Sequence, residues 1–296
     1  MQVINTLRFI LNHPLNESDK FAAILRWLKW QIKSRLFPGP ITVPFVGEAR
    51  LLVESGMTGA TGNIYCGLHE FTDMAFLLHF LQPEELFLDV GANVGSYTIL
   101  ASKVVGARVK AVEPISETFD HLMDNINLNQ VHSIVQAENI ALGATDSFLT
   151  MTADQDTTNH AVSVSDKDGE TARVPVKRMD DLVGDEIPTL IKIDVEGYET
   201  EVLKGGQCTL ASPDCKAVIM ELNGSGNRYG FDEMELHHSM IQYGYSPYEY
   251  HPFERKLISL GSRKSGESNT LYLRDMVTAQ HRIKNAPKVS VLGRFI

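Results

Sequence analysis

The chain has 296 residues, 43% of them hydrophobic and 22% charged, enough for one large core with appendages or for two small domains. Its 27 Lys and Arg against 37 Asp and Glu leave a net charge of -10, which argues against nucleic acid or an anionic surface as a whole-molecule partner while leaving room for a local basic patch. Ordinary Gly and Pro contents exclude a fibrous or disordered chain, and Cys66, Cys208 and Cys215 are too few and scattered for a disulfide framework or a zinc site, so a reducing, cytoplasmic setting is expected.

The first fifteen residues hold too short an apolar stretch before Asn12, His13 and Pro14 for a signal peptide, and no run approaches the roughly 20 apolar residues that span a bilayer. Over residues 20–36, Phe21, Ile24, Leu25, Leu28, Ile32 and Leu36 form one helical stripe beside Arg26, Lys29 and Lys33. Trp27 and Trp30 project away from it. The helix therefore offers two surfaces, one for the body of the protein and one for a weak contact with a partner or a membrane surface; a cap packed on its own domain is the preferred reading. Pro38, Gly39 and Pro40 end the helix, and Met74 to Leu81, mostly apolar around His79, reads as a buried helix.

From residue 81 short apolar runs alternate with helical patterns, the rhythm of βαβ units and of an α/β doubly wound, mostly parallel sheet. The expected strands are Leu86 to Val90, Val109 to Glu113, Ile134 to Ile140, Leu190 to Asp194 and Val218 to Leu222. After the second of them Phe119, Leu122, Met123 and Ile126 make a core-facing stripe behind a possible cap at Ser116. Residues 146–178 break the rhythm with Asp154, Asp156, Asn159, His160 and a turn at Lys167, Asp168 and Gly169, a hairpin-like insertion. Tyr245 to Tyr250 and Asn269 to Leu273 read as a C-terminal antiparallel hairpin. The expected organisation is an N-terminal helical cap over 1–80, a nucleoside-binding domain over 81–275 and a loosely held basic tail over 276–296.

The sharpest local signal is LFLDVGANVGSYTIL, residues 86–100: a buried strand, an acid, a glycine-bearing turn, then a helix. Gly91, Asn93 and Gly95 let backbone approach a ligand closely, because glycine lacks Cβ and Asn tolerates left-handed geometry. The spacing is GxNxG, not the GxGxxG of a pyrophosphate site, and Asp89 would repel phosphates while pairing with an ammonium group. Glu113, 22 positions after Gly91, sits at the interval where a carboxylate meets ribose hydroxyls in such units. Asn139 and Ala141, at the exit of the third strand, lie where an adenine would rest. An NAD(P)-dependent oxidoreductase is the alternative enzyme, set back by the missing glycine and by Asp89; a nucleoside-binding module without turnover is the third reading.

DVGANVGSYT, the EP after the second strand, ALG after the third, IKIDVEGYETEVLKGG at 191–206 and MELNG at 220–224 together resemble the FkbM family of S-adenosylmethionine-dependent methyltransferases. The resemblance covers roughly residues 62–273. It implies a class I methyltransferase fold, S-adenosyl-L-methionine as cofactor and O-methylation of a hydroxyl on a sugar, glycan or natural product. By the same likeness Asp89 and Gly91 line the methionine end of the cofactor, Glu113 holds its ribose, and the segment of Tyr65, Gly67, His69 and Glu70 closes one side of the pocket.

Methyl transfer to a hydroxyl needs the acceptor oxygen aligned with the methyl group at about 3 Å and relieved of its proton. The candidate catalytic residues are Asp194 and Glu196, at the carboxyl edge of the fourth strand, and His160, whose loop could fold over the crevice. Asp194 also counts among the cofactor-binding residues. Lys192, inside an apolar strand, must snorkel or pair, and Glu199 and Lys204 read as helix-surface charges. Asp194, Glu221 and Asn223 form an oxygen-rich set of the kind Mg²⁺ accepts, but no metal is assigned. GxSxG, HExxH and Walker motifs are absent.

Overall fold

The computed structural model describes residues 2–153, 159–162, 170–266 and 269–296. Asp154, Asp156 and the expected turn at Lys167, Asp168 and Gly169 lie outside them.

The first eighty residues hold helices α1 (Gln2–Asn12), α2 (Lys20–Leu36), α3 (Thr58–Cys66) and α4 (Phe71–Phe80), and also a hairpin of strands β1 (Ile41–Pro44) and β2 (Arg50–Val53). A purely helical cap is therefore corrected: the Thr42, Val43 and Leu51 to Val53 segments favour pleated backbone, and the hairpin finds polar partners on a neighbouring helix.

Then come β3 (Leu86–Val90), α5 (Ser96–Ile99) continuing as a π-helical turn over Leu100–Val105, β4 (Arg108–Val112), α6 (Ser116–Asn129), β5 (Val135–Glu138) and β6 (Ala141–Leu142). The side chains of Asn125 and Asn129 on α6 bond the backbone of Leu52 and Arg50, which seats the β1–β2 hairpin. The expected third strand breaks at Asn139: its second half, β6, leaves the large sheet and joins β7 (Ser147–Thr152) and β8 (Thr171–Lys177), the two arms of the insertion, in a small sheet of order β6-β8-β7.

The remaining elements are α7 (Met179–Val183), β9 (Leu190–Ile193), α8 (Glu199–Gly205), α9 (Gln207–Ala211), β10 (Ala217–Met220), α10 (Glu233–Gln242), β11 (Ser246–His251), β12 (Lys256–Ser259), β13 (Thr270–Leu273), α11 (Met276–Asn285), β14 (Ser290–Val291) and β15 (Arg294–Phe295). The large sheet runs β12-β11-β13-β10-β9-β3-β4-β5, parallel from β10 to β5 and antiparallel beyond. The C-terminal hairpin of the sequence reading is in fact three strands, because β12 pairs back on β11 before the chain reaches β13.

Side chains alternate across this buried sheet. Leu88 and Val90 of β3, Ile191 and Ile193 of β9 and Val218 and Met220 of β10 pack under α7 to α10 with Val202, Leu210 and Met240. Phe87, Val109, Leu190 and Ile219 face the other way, onto α4, α6 and α11 through Phe76, Leu122, Ile126 and Ile283. Asp89 and Lys192 fall on that second face as cross-strand neighbours, so a carboxylate and an ammonium are buried side by side at the carboxyl end of the sheet.

Two further points concern the ends of the chain. Helix α2 packs on its own domain, but not through its stripe: Phe21, Leu25, Leu28, Ile32 and Leu36 are exposed, while Ala23 and Trp30 are buried and Trp27 packs on the core. Arg26 decides this, donating to Asn16 Oδ1 at 2.6 Å and to the Tyr65 carbonyl, and so turning the opposite face inward. Nor is the tail loose. Ala279, Ile283, Val291 and Ile296 are buried, Arg282 grips Glu85 with both guanidinium nitrogens, and Arg255 donates to the terminal Ile296 carbonyl.

Candidate active site

Strand order reverses between β3 and β9, since the chain proceeds outward through β4 and β5 on one side and β9 and β10 on the other. Open α/β sheets leave a crevice at such a point. Here the crevice is a cavity of about 280 Å³ walled by the ends of β3, β4, β6, β9 and β10, by α3 and α4, and by the insertion.

The glycine turn forms its floor. Gly91 has φ +78°, and a Cβ there would sit 1.9 Å from the Asp194 carbonyl oxygen, so only glycine allows the ends of β3 and β9 to approach. Asn93 is left-handed at φ 51°, its side chain accepting from Val94 N. Gly95 is also left-handed, but its missing side chain makes room for Leu122, and it does not line the cavity.

Glu113 ties the turn to β4. One carboxylate oxygen accepts from Asn93 N at 2.9 Å and the other from Ile115 N at 3.0 Å. Both oxygens keep lone pairs for a ligand, and the group lines the cavity. Burial pushes its carboxyl up to about 7, partly offset by those two amides. Asn139 stands outside the wall: its amide donates to the Glu113 and Pro114 carbonyls, and its oxygen accepts from Ser116 Oγ, so it braces the loop. Ala141 does line the cavity, with Ile115, Leu142, Leu149 and Met151 around it, an apolar corner.

Asp89 is buried. Its Oδ2 accepts from Thr98 Oγ1 at 2.7 Å, while Oδ1 has no partner among the described residues, and burial raises its carboxyl. Lys192 pairs with Asp194 Oδ2 at 2.6 Å and lies over the Tyr97 ring at 4.7 Å; in spite of burial, the charges of Asp194, Glu70 and Asp89 keep its ammonium charged.

Glu196, left-handed at φ 54°, lines the cavity, and burial followed by the charge of Asp194 pushes its carboxyl up to about 7. A non-glycine residue in that region is held by its surroundings, here by Gly197, whose own positive φ lets Ser225 pack against it. Glu199 is not a surface charge: it is buried and accepts from Val195 N and Gly197 N.

Asp194, Glu196 and Glu221 each bring a carboxylate oxygen to within 4.8 Å of the others. Burial and these like charges push the Glu221 carboxyl up to about 10, and its Oε2 is buried with no partner among the described residues. Asn223, weighed with Asp194 and Glu221 as an oxygen-rich set, is exposed and accepts from Ser225 N instead.

His160 is buried, held through its backbone to Thr152, and does not line the cavity, although it is near enough to Glu196 to favour that carboxylate. Asn159 and Ala161 on either side of it do line the cavity. Among the wall residues that sequence reasoning left out is Tyr97, which follows the glycine turn and looks like any core aromatic. Tyr198, Leu149 and Met151 were equally hidden, since nothing in a single helix or hairpin says which crevice it borders.

Glu70, Asp89, Glu113, Asp194, Glu196 and Glu221 face one cavity whose lysine is already paired. Such a wall repels a pyrophosphate and suits a ligand carrying positive charge. The orphaned oxygens of Asp89 and Glu221, the spare lone pairs of Glu113 and the apolar corner at Ala141 are the donor set that an ammonium, a sulfonium, a ribose and an adenine require, so these residues fit S-adenosylmethionine.

Residues 89–247 match the family model described as Methyltransferase FkbM domain. Methyltransferase 1 of Beauveria bassiana is 32% identical over 149 residues, covering 42% of this chain and 59% of that protein. The hexuronic acid methyltransferase AglP of Haloferax volcanii is 28% identical over 155 residues, covering 50% and 59% respectively, and methyltransferase sdnD of Sordaria araneosa is 27% identical over 169 residues, covering 46% and 65%. The chain thus spans about three fifths of the length of the curated relatives it matches. Among solved structures, an FkbM methyltransferase from Methylobacillus flagellatus aligns with a TM-score of 0.46 at 17% identity, over 73% of this chain and 55% of that one. S-adenosylmethionine is the cofactor that accompanies this family. With its matched segment spanning more than half of the sequence, the chain belongs to the FkbM methyltransferase domain family.

Proposed function

We propose that the protein is an S-adenosylmethionine-dependent O-methyltransferase acting on a hydroxyl of a sugar, glycan or other small molecule. The observation that carries this reading is the acid-lined cavity at the strand reversal, in which Glu113 and Glu196 both stand on the wall with carboxyls at about 7, but Glu113 is tied to the Asn93 and Ile115 amides while Glu196 has no hydrogen bond or ion pair among the described residues. Similarity to a protein named as a hexuronic acid methyltransferase supports a sugar acceptor.

Bound in this cavity, S-adenosylmethionine supplies an electrophilic methyl group on a cationic sulfur. The chain's own residues do the rest. Asp89 and Asp194 receive the methionine ammonium, Gly91 and Asn93 let backbone close on the cofactor, Glu113 holds the ribose hydroxyls, and Ala141 flanks the adenine. Glu196 accepts the proton of the acceptor hydroxyl, since a carboxyl near 7 exchanges protons efficiently at neutral pH. Asp194 is a weaker choice of base because Lys192 occupies one of its oxygens, and His160 acts through Glu196 rather than on the acceptor. Acceptor selection falls to the parts of 1–80 and 146–178 that border the cavity, including His69, Glu70, Met74 and Leu149. A cytoplasmic setting fits the three free cysteines, and among the described residues no helix is long and apolar enough to cross a membrane.

The test is transfer of an isotopically labelled methyl group to a panel of sugars, uronic acids and hydroxylated natural products, with cofactor affinity measured in parallel. Glu196→Gln should lower turnover by about 10²-fold or more, leave cofactor affinity within about twofold and abolish the rise in rate through pH 7. Full activity in that variant would remove Glu196 as the base, and cofactor binding without transfer to any acceptor would favour a module without turnover.

A further inference from the structure

The outer face of α2 has no partner among the described residues. Phe21, Leu25, Leu28, Ile32 and Leu36 recur at i, i+4, i+7, i+11 and i+15, which keeps them on one line along the helix. Phe21 is 71% exposed, Ile32 59% and Leu36 67%. Soluble surfaces scatter such side chains singly; a continuous row marks a contact surface. Beside α2, α1 exposes Val3 and Ile4 as well.

The charges around the row say what covers it. The helix holds five basic residues and no acidic one, in a chain whose net charge is -10. Arg26 is turned inward onto Asn16 and Tyr65, while Lys20, Lys29, Lys33 and Arg35 are exposed. By helical rotation Lys29 and Lys33 flank the row on one side and Lys20 and Arg35 on the other. An apolar line bordered on both sides by cations is the pattern of a helix lying in the headgroup region of an anionic bilayer. A second copy of this face would set cations against cations, which disfavours a symmetric pairing.

We propose that α2 docks the protein flat on a membrane surface rich in anionic phospholipid, its apolar row entering the headgroup boundary and its lysines meeting the lipid phosphates. The inward side is already anchored: Trp30 is buried, and Gln31 and Arg26 bond Tyr65 of α3, whose first turn, Thr58 and Gly59, borders the cavity. Docking therefore asks for no rearrangement of the core. The inference is independent of the methyl-transfer reading.

Flotation of the full chain with phosphatidylcholine vesicles, with and without phosphatidylserine, tests it. Binding is expected on the serine-containing vesicles only and should weaken as salt rises. Lys29→Glu with Lys33→Glu, both exposed, should lower that binding at least about tenfold without moving the melting temperature; Leu28→Asp with Ile32→Asp should do the same. Failure to float with anionic vesicles, or equal flotation with neutral ones, would overturn the proposal. So would sedimentation showing a dimer that the Asp variants dissociate while vesicle binding is absent, because the face would then belong to a second copy.

Discussion

Glu221 is the residue at which electrostatics and folding conflict most directly. Its carboxyl is pushed up to about 10 by burial and by the charges of Asp194, Glu196 and Glu199, against an ordinary value of 4.5. Glu113, Glu196, Glu199 and Asp73 are pushed up to about 7. The folded chain thus binds more protons than the unfolded one above about pH 4.5, so these groups stabilise it in acid and that stability is lost as pH rises. Up to pH 7 the whole set contributes to the fall; between 7 and 10 Glu221 dominates it. Melting temperature measured against pH on the ligand-free protein should therefore decline across both intervals, and Glu221→Gln should flatten the upper one. Parallel curves for the two proteins would show that Glu221 ionises freely in the fold. Bound positive charge would act in the opposite sense by stabilising the ionised forms, so a cationic ligand should offset this decline.

The turn joining β3 to α5 shows how one element is fixed by its neighbours. Gly91 N and Ala92 N both bond the Val112 carbonyl, Asn93 N bonds Glu113, and Gly91 leaves space for the carbonyl of Asp194, the residue after β9. Three strand ends are therefore clamped at one glycine. Gly91→Ala would combine a left-handed alanine with a backbone clash and should cost at least about 2 kcal/mol, seen as a lowered melting temperature together with weakened cofactor binding. An unchanged melting temperature would mean the three ends can separate. Much of this element is legible in sequence, because the acid, the glycines and Asn93 encode local backbone geometry. What Glu113 bonds is less so: its interval from Gly91 pointed to a ribose, whereas its two backbone partners depend on how β4 exits the sheet.

Across the whole molecule the C-terminal segment closes the fold. Ile283 of α11 is fully buried against the face carrying α4, and Arg255 and Arg282 hold the surrounding chain. Ile283→Ala should cost about 2–5 kcal/mol, read as a lower urea midpoint with an unchanged slope. A midpoint left in place would restore the loose tail that its charge count suggested. That count misled because two of the tail's cations are spent within the fold, Arg282 on Glu85 and the Phe80 carbonyl and Arg294 on the Pro14 carbonyl, while Ala279, Ile283, Val291 and Ile296 supply the burial.

The apolar runs, the glycine turn and the motifs on β3, β4, β9 and β10 determined by themselves the parallel sheet, the family and the sheet edge at which the cavity lies, because strand periodicity and glycine geometry act within a few residues. Tertiary structure alone decided which face of α2 turns outward, that Asn139 braces while Ala141 lines the cavity, and that Asp194 is held by Lys192 while Glu196 stays available. Those outcomes depend on side chains far apart in sequence, such as Arg26 with Tyr65, and on how much water each carboxylate loses, which no local pattern records.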